Sequence, residues 1–163
     1  MKEPTIKFDC YICLDYSENL VGYIIITKEK IPEILMKTTR FHHYKDIKNK
    51  KGYIHTIKVV IEKNKLKEDL FKCKIMNLRY NLYLFTDLIE FISKNKECKM
   101  FVSIDNNQYN AFIRLVSLAS QNQNLVIAKE SELKKGSIEY RLSLVIDTLL
   151  NIERLEIMNK MSK

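Results

Sequence analysis

The stretch Lys99-Met-Phe-Val-Ser-Ile-Asp105-Asn-Asn-Gln-Tyr109-Asn-Ala-Phe-Ile113 constrains the fold more than any other part of this chain. A short apolar run ends in an aspartate. Two asparagines and Gln108-Tyr109 follow, and then Tyr109, Phe112, Ile113 and Val116 recur at helical spacing. An unbroken apolar run reads as a strand buried on both faces, and the change to a three-and-four spacing marks the start of a helix. A buried strand feeding a helix belongs to an α/β fold, in which ligands and metals gather at the strands' C-terminal edge. Asp105 lies at that edge.

The 163 residues suffice for one domain with one core, and we take residues 1–163 as a single domain. With only three glycines and two prolines, no segment looks like a flexible linker. No apolar run approaches membrane-span length, and Met1-Lys-Glu-Pro-Thr leads into a strand, unlike a signal peptide; a cytoplasmic, soluble protein is expected.

The net charge of +8 is unevenly placed. Residues 28–79 hold fifteen Lys/Arg against six Asp/Glu, while the rest of the chain holds thirteen against fourteen. Such a one-sided excess suits a polyanion, nucleic acid first, although lysine-rich surfaces are also often simply solvated. Of the four cysteines, Cys10 and Cys13 have metal-knuckle spacing but lie inside a strand, where residues three apart point to opposite faces. Reduced core thiols are therefore expected, not zinc or disulfides.

Phe8 to Leu14 alternates as a strand, with Phe8, Cys10, Ile12 and Leu14 on one face and Asp9, Tyr11, Cys13 and Asp15 on the other. Residues 15–19 read as a turn and Leu20 to Thr27 as the second strand of a hairpin. Lys28 to Met36 suggests a short helix with Pro32 in its first turn. A basic loop follows, carrying Phe41, His42, His43 and Tyr44, so residues 28–52 read as a basic insertion. Interleaved aromatics and cations suit base stacking and phosphate pairing, and equally suit a solvated loop covering the core edge. Tyr53 to Ile61 is predicted as the third strand, with a further extended piece over 69–75. A helix is predicted from Asn77, with Leu78, Leu82, Phe85, Ile89 and Ile92 as its stripe. Strand 98–104, a helix over 107–120, a short strand over 125–128 and a long helix from Ser137 to Met158 complete the chain. In that last helix Leu142, Val145, Leu149 and Ile152 form the buried stripe, and Tyr140, Ser143, Asp147, Asn151 and Arg154 the polar one.

The order is β-β-β-α-β-α-β-α, an α/β fold with a mixed five-stranded sheet and helices on both faces. With these residues at its joints it resembles the ribonuclease H-like superfamily, from about Phe8 to Arg154. Asp15-Tyr-Ser17 with Gly22-Tyr-Ile-Ile is similar to that family's first strand, turn and second strand. Ile104-Asp105 with Gln108-Tyr109 resembles its fourth-strand Asp-Ser-Gln-Tyr, with one residue inserted. Met76-Asn77-Leu78 resembles the Met-Glu-Leu opening its first helix, and Ser137-Ile-Glu139 with Asp147 its last helix. A second likeness is to a branch whose last helix carries Ala-Asp-Leu, which Val145-Ile-Asp147-Thr-Leu149 fits about as well.

The resemblance implies Asp15, Asp105 and Asp147 as catalytic metal ligands for Mg²⁺ or Mn²⁺. Two-metal phosphodiester cleavage needs such converging carboxylates, and Mg²⁺ takes hard oxygen ligands. Taken singly, each aspartate could instead be a turn, capping or solvated residue. Arg40, Lys45, Lys48, Lys50 and Lys51 would hold nucleic acid, an RNA–DNA hybrid or RNA. The chain departs from the family at Asn77, which stands where the first helix supplies a glutamate, and it has no histidine in the loop before the last helix. Glu18 or Asp9 would be the substitutes, though at strand rise Asp9 lies about 20 Å from Asp15. Two functions follow. One is a metal-dependent ribonuclease H-like nuclease, favoured by the three aspartates. The other is a catalytically silent module of the same fold binding nucleic acid or a protein partner, favoured by Asn77. No membrane association is expected.

Overall fold

The computed structural model describes residues 6–94, 97–103, 110, 112–114, 116 and 125–161. Its strands are β1 (Cys10–Ser17), β2 (Leu20–Thr27), β3 (Lys72–Asn77), β4 (Cys98–Val102) and β5 (Val126–Lys129). They form one five-stranded sheet in the order β3-β2-β1-β4-β5. The β1–β2 and β2–β3 pairs are antiparallel, and β1–β4 and β4–β5 are parallel. The C-terminal ends of β1, β3, β4 and β5 therefore share one end of the sheet. β1 runs through Ser17, so Asp15 lies within the strand, opposite Gly22, and not in the turn. Glu18, at φ 52°, takes the left-handed conformation that closes the tight turn.

Both faces of the sheet are covered. Tyr11 and Cys13 of β1 join one core cluster; Cys10, Ile12 and Leu14 join the other. The predicted alternation holds from Cys10, where β1 begins, and Cys10 and Cys13 do point to opposite faces; Phe8, before the strand, packs with Tyr11 on the first face and not with Cys10 as expected. All four cysteines are free thiols; Cys10, Cys13 and Cys98 are buried, whereas Cys73 is exposed and is not a core residue. The first face is packed by α1 (Ile31–Lys37), α2 (Lys50–Lys63), α3 (Leu66–Asp69) and the long α5 (Ile138–Met161). The second is packed by α4 (Asn81–Lys94) and by the helical residues Phe112 and Val116.

Tyr53–Ile61 is not a strand; it lies in α2. Its Ile, Val and Thr residues raise strand propensity. But Ile54, Ile57 and Ile61 recur at helical spacing and are buried, and the Asn49 side chain accepts from the Gly52 N–H to start the helix. Burial of that stripe outweighs propensity. The third strand is β3, where only an extended piece is expected, and the β2–β3 connection consists of α1, α2 and α3 with an irregular basic stretch between α1 and α2. α4 presents Leu84, Leu88 and Ile92 to the core, whereas Leu78 and Leu82 of the predicted stripe are exposed. No helix among the described residues is long and apolar enough to cross a membrane.

Candidate active site

The polar stripe of α5 is where the fold departs most from expectation. Along Leu142 to Asn151 every residue is buried, including Ser143, Asp147 and Asn151. A buried polar stripe needs partners. Asp147 Oδ2 accepts the Tyr44 N–H at 2.9 Å, and Asn151 Nδ2 donates to the Asp147 carbonyl at 2.8 Å. Asn151 Oδ1 in turn accepts from Arg154 Nη2 at 2.9 Å. The stripe faces the C-terminal end of β1, where Asp15 is 6% exposed and accepts the Tyr16 N–H at 2.8 Å.

Glu130 joins them from the turn that directly follows β5. Burial, then repulsion from Glu130 and Asp147, pushes the Asp15 carboxyl up to about 8, against hydrogen bonds from the Tyr16 N–H and Ser103. Burial likewise raises Asp147, partly offset by the Tyr44 N–H and His43. Glu130 feels the same burial, but hydrogen bonds with His43 and Ser103 outweigh it and hold its carboxyl below the usual range. Beneath the cluster, the Cys13 thiol is pushed up by burial and by Glu130 and Asp15. Three carboxylates thus share one poorly solvated place, and burial together with mutual repulsion favours the protonated form of Asp15.

Two cations face Glu130 and Asp147: Lys45, whose charge lowers both, and His43, which stands between them. The His43 Nε2 is 3.5 Å from Glu130 Oε1 and its Nδ1 3.7 Å from Asp147 Oδ1. The Glu130 hydrogen bond, against burial and with help from Asp147, raises the imidazole above its ordinary value. Tyr44 anchors the loop that delivers His43. Its ring has Lys50 Nζ at 5.5 Å and the Arg154 guanidinium at 5.5 Å. His43, Lys45, Ser103, Glu130, Lys135 and Tyr140 line a cleft of about 740 Å³, which Glu130 alone of the three carboxylates borders.

Of the three predicted ligands, Asp15 and Asp147 repel one another across the site, and Asp105 lies outside the described residues. Glu130 is the carboxylate that sequence reasoning misses. The edge rule that singles out Asp105 after β4 applies equally to a glutamate directly after β5, but with Glu132 two residues on, the pair has the look of a solvated turn. From sequence His43 belongs with the basic loop and not with the carboxylates, since only the folding of that loop onto α5 unites them. Asn77 ends β3, two strands from β1, and its side-chain oxygen accepts the Arg79 N–H at 3.0 Å, capping the turn into α4. Glu18 is solvent-facing and pairs with Arg154 at 3.4 Å. Asp9 stands just before β1, at the strand's other end. Arg40, Lys45, Lys48, Lys50 and Lys51 are all exposed.

No family model matches the sequence, and no curated protein matches it. A solved structure does: a chain from the PCNA:RNase HII complex of Archaeoglobus fulgidus aligns with 93% of this chain and 74% of its own, at TM-score 0.54 and 9% identity. The fold is ribonuclease H-like. At that identity the likeness carries the fold alone.

The carboxylates fit a hard divalent cation in their chemistry: oxygen donors, buried, with surplus negative charge. Their spacing is looser, since among the described residues no three His, Cys, Asp or Glu side chains stand together closely enough to hold one ion.

Proposed function

We propose that this chain is a metal-dependent nuclease of ribonuclease H-like type, acting on an RNA–DNA hybrid or structured nucleic acid. The observation that supports this best is the burial of Asp15 and Asp147 beside Glu130 at the C-terminal sheet edge, where desolvation holds both aspartates above their usual range. Folding them there costs stability, and such strain gathers at functional sites. Asp15, Asp147 and Asp105 would hold Mg²⁺ or Mn²⁺, with Glu130 as a further oxygen donor. The metal, when bound, supplies an activated water and stabilises the leaving oxygen of a phosphodiester. The residues of the chain hold and orient the substrate: Lys45 and Lys135, on the cleft wall, suit the phosphates beside the scissile bond. Arg40, Lys48, Lys50 and Lys51 extend that positive surface along the loop and into α2.

His43 supports a second reading. It stands between Glu130 and Asp147, where it partly offsets their charge, and Asn77 is engaged as a cap. A silent module that binds nucleic acid or a protein would tolerate both features. The Archaeoglobus neighbour was solved in complex with PCNA, so a protein partner belongs to either reading. A cleavage assay with Mg²⁺ or Mn²⁺ on RNA, DNA and hybrid substrates separates the two. Divalent-dependent cleavage that Asp15→Asn, Asp105→Asn and Asp147→Asn each reduce by about a hundredfold or more is expected. Binding without cleavage in either metal would select the silent module.

A further inference from the structure

We infer that the turn Leu78–Tyr83 is a stacking platform for a single strand of nucleic acid leaving the cleft, a proposal that rests on the nucleic-acid reading above. β3 ends at the same end of the sheet as β1, β4 and β5, so this turn lies at the sheet end that carries Asp15, on the β3 side of it and across the sheet from Glu130 after β5. Asn77 pairs with Leu20, and Leu20 with Ser17, so two strand spacings, about 10 Å, separate Asn77 from the end of β1.

The turn is apolar where it has no need to be. Tyr80 is 48% exposed, Leu82 68% and Tyr83 69%; with Leu78 they supply four of the eleven large hydrophobics exposed among the described residues, within six positions. The buried side of α4 is taken by Leu84, Leu88 and Ile92, which turns these residues outward. Their geometry is held. The Asn77 cap fixes the turn, the Tyr80 and Tyr83 rings stand 6.4 Å apart at 47°, and the Arg79 guanidinium lies 5.8 Å from the Tyr80 ring centroid.

Two exposed aromatic rings beside a guanidinium match the chemistry of unstacked bases with their phosphates. Among the described residues no carboxylate pairs with Arg79, so its charge stays available to an anion. A duplex hides its base faces, which is why the fitting partner is a single strand or a splayed end. A protein partner would use the leucines but has less need of the arginine.

The test is fluorescence anisotropy with labelled oligo(dT) and oligo(U) in chelator, which needs neither metal nor turnover. Replacing Tyr80 and Tyr83 together by Ala is expected to weaken binding fivefold or more at every salt concentration while leaving the log–log salt slope unchanged. The double Tyr→Phe variant keeps the rings and should stay within about twofold of the parent. The chain has no tryptophan, so in Tyr83→Trp the only indole fluorescence comes from the platform, and the oligonucleotide should quench it. Wild-type affinity in the alanine variant, equal loss in the phenylalanine variant, or indole emission that the oligonucleotide leaves unquenched would each overturn the proposal. The nuclease reading fails separately, by absent cleavage with this binding intact.

Discussion

Asp15 is the residue at which fold and chemistry conflict. Its carboxyl titrates at about 8 in the folded chain against 3.8 ordinarily. The folded state thus keeps a proton that the unfolded chain gives up, so stability falls as pH rises through that window and is unaffected below it. Asn at this position keeps an oxygen for the Tyr16 N–H and carries no charge. In chelator, Asp15→Asn is therefore expected to stabilise the fold near neutral pH by about 4 kcal/mol and to change little in acid. Thermal melts across the pH range check this. A variant no more stable than the parent near neutral pH would mean that Asp15 is ionised and balanced.

Among the elements, α5 decides the site, and Gly22 decides how near α5 comes. Gly22 sits opposite Asp15 in β2. A Cβ there would meet Ile75 Cγ1 at 2.9 Å, Leu150 Cδ2 at 3.1 Å and the Lys74 carbonyl at 3.2 Å. Leu150 lies three residues beyond Asp147, so the close approach of helix to sheet is the approach that presents Asp147 to Asp15. Gly22→Ala is expected to cost about 1–3 kcal/mol in denaturant unfolding, with part recovered by adding Ile75→Val. Unchanged stability would show that α5 does not press on the sheet at this point. At the same scale, the α2 region shows what local propensity misses. A β-branched run became helix because Ile54, Ile57 and Ile61 could be buried together on one side.

For the whole molecule, the asymmetry of charge is the feature that extends beyond any one contact. Lys45, Lys48, Lys50 and Lys51 are exposed, and each phosphate contact on a duplex releases counterions. Their joint replacement by Ala should flatten the log–log salt slope of binding by about 0.9 per lost contact. The melting temperature should hardly move, because exposed charges contribute little to stability. Full affinity and slope in that variant would assign the excess charge to another partner.

Much of this protein is written in local pattern. Alternation in β1 fixed which of Cys10 to Asp15 face each core, and the apolar run before Asp105 and the stripe of α5 announced an α/β sheet with both faces covered. Periodicity of two or of three-to-four reports how a segment can bury one side, and that suffices for elements and class. It does not say which polar residues will be buried together. By spacing Asp147 and Asn151 fall on the polar stripe of α5, and only the packing of α5 onto the sheet buries them. Glu130 and His43 come from a turn after β5 and a loop before α2, 87 residues apart in the chain, and only packing of that loop against α5 brings them within 3.5 Å. A shared electrostatic environment arises from three-dimensional proximity, so the tertiary structure alone could assemble it.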